Sequence, residues 1–461
     1  MRSRISAIRS LLTVGTSLLF GALALAAPAG ATPAPRVISH LSGWVSSLNP
    51  TGGGGFNAAI SSFANNNEAS IVPFDSSGVS GTPTVITTTC NRQVSSNGVV
   101  AFGPDTTSFA FITTDGDLWV TVDGTQHFLE SLPANYFVNG ITVSDPSAAG
   151  AHTVYISLDS TLDSSAALEV LSFDATGTVL DSTTITDPAL SGLDVPTWTS
   201  AGILVPSWTG ALYRIDPSGS SGTVTTLLPV GSLDQPRSAA VDAQGNIYVI
   251  ENGTDSLTQV HADGSMSSVL IFGTPGGAAG APTRGAPANG QFGTALAFDP
   301  STRSLLLARQ NQSPPTAQRR CFLANLTTTI LRVGTAPLAP VSPNVIASGT
   351  SATISWTSSA DQVAGDVYSV TASPGGGTCS AVAPSTSCTI SGLNPQTSYS
   401  FSVLAQSAEG IGAATATITA ITAPSLAATG SSTGLLGMVG LLTFGGGLAL
   451  TNLRRRLVAH R

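Results

Sequence analysis

Asp242, Glu251 and Asn252 supply the oxygen atoms a hard cation would need, the last two standing side by side in YVIENGTD. The same residue types cap hairpin turns by accepting backbone N–H groups, and they are read here as turn chemistry first. His127 and Glu130 are close enough in sequence to share acid–base work, but both fall on an outer strand of their sheet. His152 and His261 stand singly, with no H-x-H or H-E-x-x-H spacing, so no metal site is expected. No G-x-S-x-G elbow and no phosphate-cradling loop occurs. Trp119, Trp198 and Trp208 read as packing residues ahead of sugar-stacking ones. No catalytic residue and no cofactor is assigned from these positions.

The elements that would position such residues are strands. Only 9% of the 461 residues are charged, the net charge is −8, and all 17 basic residues are arginine. Without a basic stripe, nucleic acid is not an expected partner. Amphipathic helical patterns are missing, and short β-rich runs alternate with Gly, Asp, Asn and Pro turns, which makes the chain all-β. A weak repeat runs through residues 38–335. Its clearest copy, Arg237 to Phe272, splits into the strands SAAVDA, NIYVIEN, LTQVHAD and SMSSVLIF, with AQGN and ADGS as hairpin turns. Further copies start near Ala58, Val99, Ile141, Pro196 and Ala295.

The Arg237–Phe272 unit resembles an NHL-type β-propeller blade, of the kind also found in gluconolactonase-like and streptogramin-lyase-like propellers. The resemblance implies six blades, or seven if the N-terminal stretch forms one more, with ligands at the channel mouth, where a gluconolactonase-like metal site would need a Glu, an Asn and an Asp, such as Glu251, Asn252 and Asp242, to converge. Ring closure would bring Cys90, at the end of the first blade, near Cys321 in the last; the two form a seam-locking disulfide or remain free thiols.

Residues 337–423 form a second unit. SATISW, DVYSVTAS, SYSFSVLAQ and AATATITAI alternate apolar and polar positions, as in a sandwich with one buried face per sheet. LNPQTSY resembles the tyrosine-corner segment of fibronectin type III domains, with Tyr399 as the corner residue and Trp356 as the core tryptophan. Cys379 and Cys388 enclose a short loop and are expected to pair.

The two ends carry addresses. Residues 1–31 read as a secretory signal peptide: three arginines, an apolar helical core, and Ala29-Gly30-Ala31 as the cleavage motif. Residues 434–453 lack charge and, at about 1.5 Å per residue, would span a bilayer as a transmembrane helix. A basic tail, 454–461, follows and would stay cytoplasmic. The linker 424–433 before the span contains Leu426-Ala427-Ala428-Thr429-Gly430. Pentapeptide, span and basic tail together resemble the LPXTG/LAXTG cell-wall sorting signal of high-GC Gram-positive bacteria, with Ala427 where the LPXTG consensus has proline. The resemblance implies that a sortase cleaves after Thr429 and joins the chain covalently to peptidoglycan, the membrane helix serving before processing. A simple membrane anchor is the alternative.

The sequence therefore points to an extracellular surface protein. Its propeller head would be presented on a fibronectin-like stalk for adhesion or for binding a glycan or protein ligand. A wall-displayed propeller enzyme, lactonase-, lyase- or glycan-hydrolase-like, stays open as the second class.

Overall fold

A computed structural model describes residues 35–61, 69–88, 94–218, 222–272, 291–311, 327–335, 337–359, 361–407 and 413–421. Their regular structure is entirely strand, arranged as six four-stranded antiparallel sheets followed by a two-sheet sandwich. Each sheet is a propeller blade. Five are built from consecutive strands, with inner strands Trp44–Gly52, Val94–Ala101, Tyr136–Val143, Thr197–Thr199 and Pro236–Val241. The sixth takes Gln291–Asp299, Ser304–Asn311 and Thr327–Gly334 from late in the chain and Arg36–Ser42 from its beginning. Pairing of the first strand with Thr327–Gly334 closes the ring by hydrogen bonds.

Sequence decides each strand's depth. Second strands such as Phe109–Thr113 and Ile247–Glu251 are buried along their whole length, since neighbouring blades cover both faces. Continuous apolar runs, FAFIT and IYVIE, meet that demand. Outer strands such as Val179–Thr186 are mostly exposed and polar. A separate apolar core fills each of the six junctions between blades, including that between blade 6 and blade 1, where Ile38, Phe56 and Leu306 meet. No blade could bury both its faces alone, so stacking supplies the core.

Five of the six repeat starts fall on an inner strand or immediately before it; the first does not. Ala58 lies on the second strand of blade 1, Gly55–Ser61, and the inner strand begins at Trp44. Pro50 and Gly52, poor strand formers, disguise that inner strand in the sequence.

In the sandwich, Val341–Ser348, Ser351–Thr357 and Ser387–Ser391 form one sheet. Thr378–Val382, Val367–Ser373, Ser398–Gln406 and Ala413–Ile421 form the other. Trp356 and Tyr368 pack with ring centroids 5.1 Å apart in a core shared with Ile354, Val370 and Phe401. The Tyr399 hydroxyl accepts the Asn394 backbone N–H at 3.0 Å, the corner bond the sequence led us to expect. Cys379 and Cys388 are bonded and join one sheet to the other.

Candidate functional site

Inner strands are sheet edges, so their unpaired backbone groups face the channel. Much of that edge is satisfied by side chains reaching from one blade to the next. Ser46 Oγ donates to Val99 O at 2.8 Å (blade 1 to 2), and Asn139 Nδ2 to Leu193 O at 2.9 Å (blade 3 to 4). Thr197 Oγ1 donates to Ala239 O at 2.7 Å (blade 4 to 5). Ser238 Oγ accepts Leu296 N at 3.2 Å and Asn252 Oδ1 accepts Gly293 N at 2.8 Å (blade 5 to 6). Thr328 Oγ1 donates to Gly43 O at 2.7 Å, carrying the girdle back to blade 1. Short uncharged side chains suit this task, because each buried bond satisfies a backbone group that would otherwise be orphaned.

Where the inner strands begin, Arg237 crosses the channel. Its guanidinium donates to Asp194 Oδ1, ahead of blade 4, and at 3.1 Å to Asn97 Oδ1 on blade 2, opposite its own blade 5. It lies 6.0 Å from the centroid of Trp44 on blade 1. Below this crossing a cavity of about 400 Å³ extends to the other face, walled by all six blades. Asn49, Thr142, Trp198, Val241 and Phe298 are among its lining residues, and Asp145 and Asp242 stand at its mouth.

The sandwich is attached to that second face. Arg303, in the turn after the inner strand of blade 6, donates to Asp366 Oδ2 at 2.9 Å and Oδ1 at 2.7 Å. Both side chains are only 2% exposed. Arg303 also donates to Asp361 O at 2.9 Å. Gln244, in the equivalent turn of blade 5, donates to Asp361 Oδ2 at 2.6 Å, and Leu338 N to the same carboxylate at 3.0 Å. A bidentate guanidinium–carboxylate pair fixes orientation as well as distance.

Asp242, Glu251 and Asn252 do not converge. Asp242 Oδ1 accepts Gln244 N and Asn246 N, and its Oδ2 accepts Asn246 Nδ2 and the Tyr248 hydroxyl, which makes it a turn cap. Burial, reinforced by this carboxylate, raises the Tyr248 pKa. Glu251 accepts Asp234 N at 2.6 Å and the Thr258 hydroxyl, and burial pushes its carboxyl upward. Asn252 spans blades 5 and 6.

His127 and Glu130 sit on the outer strand Thr125–Ser131 and face blade 3. Ser182 donates to Glu130 at 3.0 Å, and burial with the nearby Glu169 raises the Glu130 pKa. His152 packs against Phe102 and Phe173, while His261 pairs with Ser267. Trp119 stacks on Phe111, and Trp208 fills the space beside Gly192. Trp198 packs against the core between blades 3 and 4 and also lines the cavity. Among the described residues no three His, Cys, Asp or Glu side chains are grouped as metal ligands. Ala29, Ala31, Cys90, Cys321 and Leu426, Ala427, Ala428, Thr429 and Gly430 lie outside the described residues. Sequence reading missed Arg237 and Arg303; charged side chains drawn inward in a chain this poor in charge were the available signal.

The fibronectin type III domain matches residues 339–421, the whole sandwich. Those residues are a fibronectin type III module. Curated proteins give no match to the chain. Among solved structures, the chain is similar to a luciferin-regenerating enzyme at 11% identity, over 66% of this chain and 95% of that one, with a TM-score of 0.42. A virginiamycin B lyase from Staphylococcus aureus is similar at 10% identity, over 65% and 99%, with a TM-score of 0.38. PorZ, a bacterial surface component of the type-IX secretion system of Porphyromonas gingivalis, is similar at 12% identity, over 82% and 59%, with a TM-score of 0.39. Identities this low concern fold alone, and the module docks beneath a propeller whose chemistry must be read from its own residues.

Proposed function

We propose that the chain is an exported surface protein whose propeller is a binding head, held on the fibronectin type III module and joined to the cell wall at Thr429. The buried Arg303–Asp366 pair supports the head-and-stalk part of this reading. It fixes the propeller by one face, and the glycan or protein ligand would be met at the opposite face, where Arg237 crosses the channel. The bonded Cys379–Cys388 pair fits an oxidising, extracellular compartment. Binding is favoured over catalysis because the carboxylates first suspected of chemistry are already engaged in turns and strand contacts.

In this reading the signal peptide is removed after Ala31, and the apolar span holds the chain at the membrane. A sortase thiolate then attacks the Thr429 carbonyl, releasing Gly430 onward, and a peptidoglycan amine takes the acyl group. Cys90 and Cys321 bond across the ring seam. Fractionation of cells carrying Thr429→Ala tests the anchoring: the protein should leave the wall fraction and remain with the membrane. Retention of the variant in the wall would refute it.

A further inference from the structure

We propose that the channel cavity is a binding site for an uncharged, ring-bearing small molecule that carries hydrogen-bonding groups as well as apolar surface. It would enter from the face that carries the fibronectin type III module. At about 400 Å³ the space falls within the range of small-molecule sites, which are concave, mainly apolar and few per protein. Entry from the opposite face meets the Arg237 crossing, and neither Arg237, Asn97 nor Trp44 lines the cavity.

Charge selects the ligand class. Among the described residues no Arg or His lines the walls, and the two carboxylates, Asp145 and Asp242, are at the mouth. An anion would meet negative charge with no cation to receive it. A cation would be held at the mouth by Asp145 and Asp242, and going further in it would leave them and shed its hydration against Ala297 and Phe298. A neutral molecule meets neither penalty.

Shape and polarity narrow it further. Trp198 and Phe298 are half-buried and offer ring surface to the cavity. Ser47 also lines the cavity, and its buried hydroxyl has no hydrogen-bond partner among the described residues, so the walls offer polar groups beside the rings. The inner strands are tied to one another by the girdle of Ser, Thr and Asn bonds, so the walls are formed before any ligand arrives. Pre-formed walls reduce the ordering cost of binding.

N-phenyl-1-naphthylamine, a neutral two-ring fluorophore, tests the site when titrated into the full chain in a sugar-headgroup detergent. Its sulfonated analogue, 1-anilinonaphthalene-8-sulfonate, reports on charge. Micelle uptake is non-saturating and common to every sample. The wild type should give a saturable fluorescence rise with the neutral probe and none with the sulfonate. Ala297→Trp, which fills the cavity with an indole, should weaken the neutral probe at least tenfold. Identical titrations for wild type and Ala297→Trp, or equal binding of the two fluorophores, would overturn the proposal. If Ala297→Trp loses its near-UV circular dichroism, Trp198→Leu takes its place: several-fold weaker binding supports the site, and unchanged binding refutes it. Wall attachment plays no part in this assay, so failure here leaves the anchoring reading standing.

Discussion

Replacing Arg303 by methionine should release the propeller from the fibronectin type III module. The Asp366 carboxylate would then keep the bond from Val363 N at 3.0 Å while staying 98% enclosed. Removing one member of a buried pair costs about 3–5 kcal/mol, because the other charge is left uncompensated. Undocking lets water reach Asp366, so the cost falls on the joint before it falls on either domain. At about 1.4 kcal/mol per factor of ten, the undocked fraction should rise by roughly two to three and a half orders of magnitude. Chymotrypsin reads this directly at Leu338, which lies in the segment that connects propeller to module and whose N–H bonds to Asp361 beside the joint. When opening and closing are fast, cleavage follows the open population and should accelerate by the same factor. The double replacement Arg303→Met with Asp366→Leu removes both charges together and should return the rate to within about tenfold of wild type, since well-packed apolar pairs often match buried ion pairs. Cleavage of Arg303→Met at the wild-type rate would refute the clamp.

Three further outcomes follow from the fold. Asp75, Asp163, Asp174 and Asp263 have carboxyls held below the usual range, chiefly by Ser or Thr hydroxyls in their turns. Because the folded values lie below the unfolded ones, their stabilisation is present above the ordinary Asp pKa of about 4 and is lost as pH falls through the folded values; urea titrations from pH 7 to pH 3 should show that loss, and Asn at all four positions should flatten it. Reducing Cys379–Cys388, nine residues apart, should destabilise the module by about 2–3 kcal/mol, read as a lower midpoint in chemical unfolding. Deleting the strand Arg36–Ser42 removes the outer edge of blade 6 and the buried Ile38, so cooperative melting of the propeller should be lost rather than shifted.

Blade 5 was legible because its strands are regular, and Asp242 and Asp263 mark two of its three hairpins by accepting nearby backbone N–H groups. The module was legible because alternation survives in SATISW and SYSFSVLAQ, whose burial alternates residue by residue. Blade 1 was misplaced because its inner strand carries Pro50 and Gly52. The closing strand RVISHLS gave no local signal, since it pairs with Thr327–Gly334 almost the whole propeller away in sequence. The same distance hid the two inward-drawn arginines. Arg303 reads as a turn residue in DPSTRS, and its partner Asp366 lies 63 residues on. Arg237 finds Asn97 at a separation of 140, and only ring closure brings them together. Local pattern reports strands and turns; contacts across a ring belong to topology.

The most direct measurement is mass spectrometry of the protein released from purified cell wall by muramidase digestion. The mature chain should begin at Thr32 and end at Thr429, with the Thr429 carbonyl in amide linkage to a peptidoglycan amine. A wall-released chain that still carries Gly430 and the residues beyond it would contradict the account.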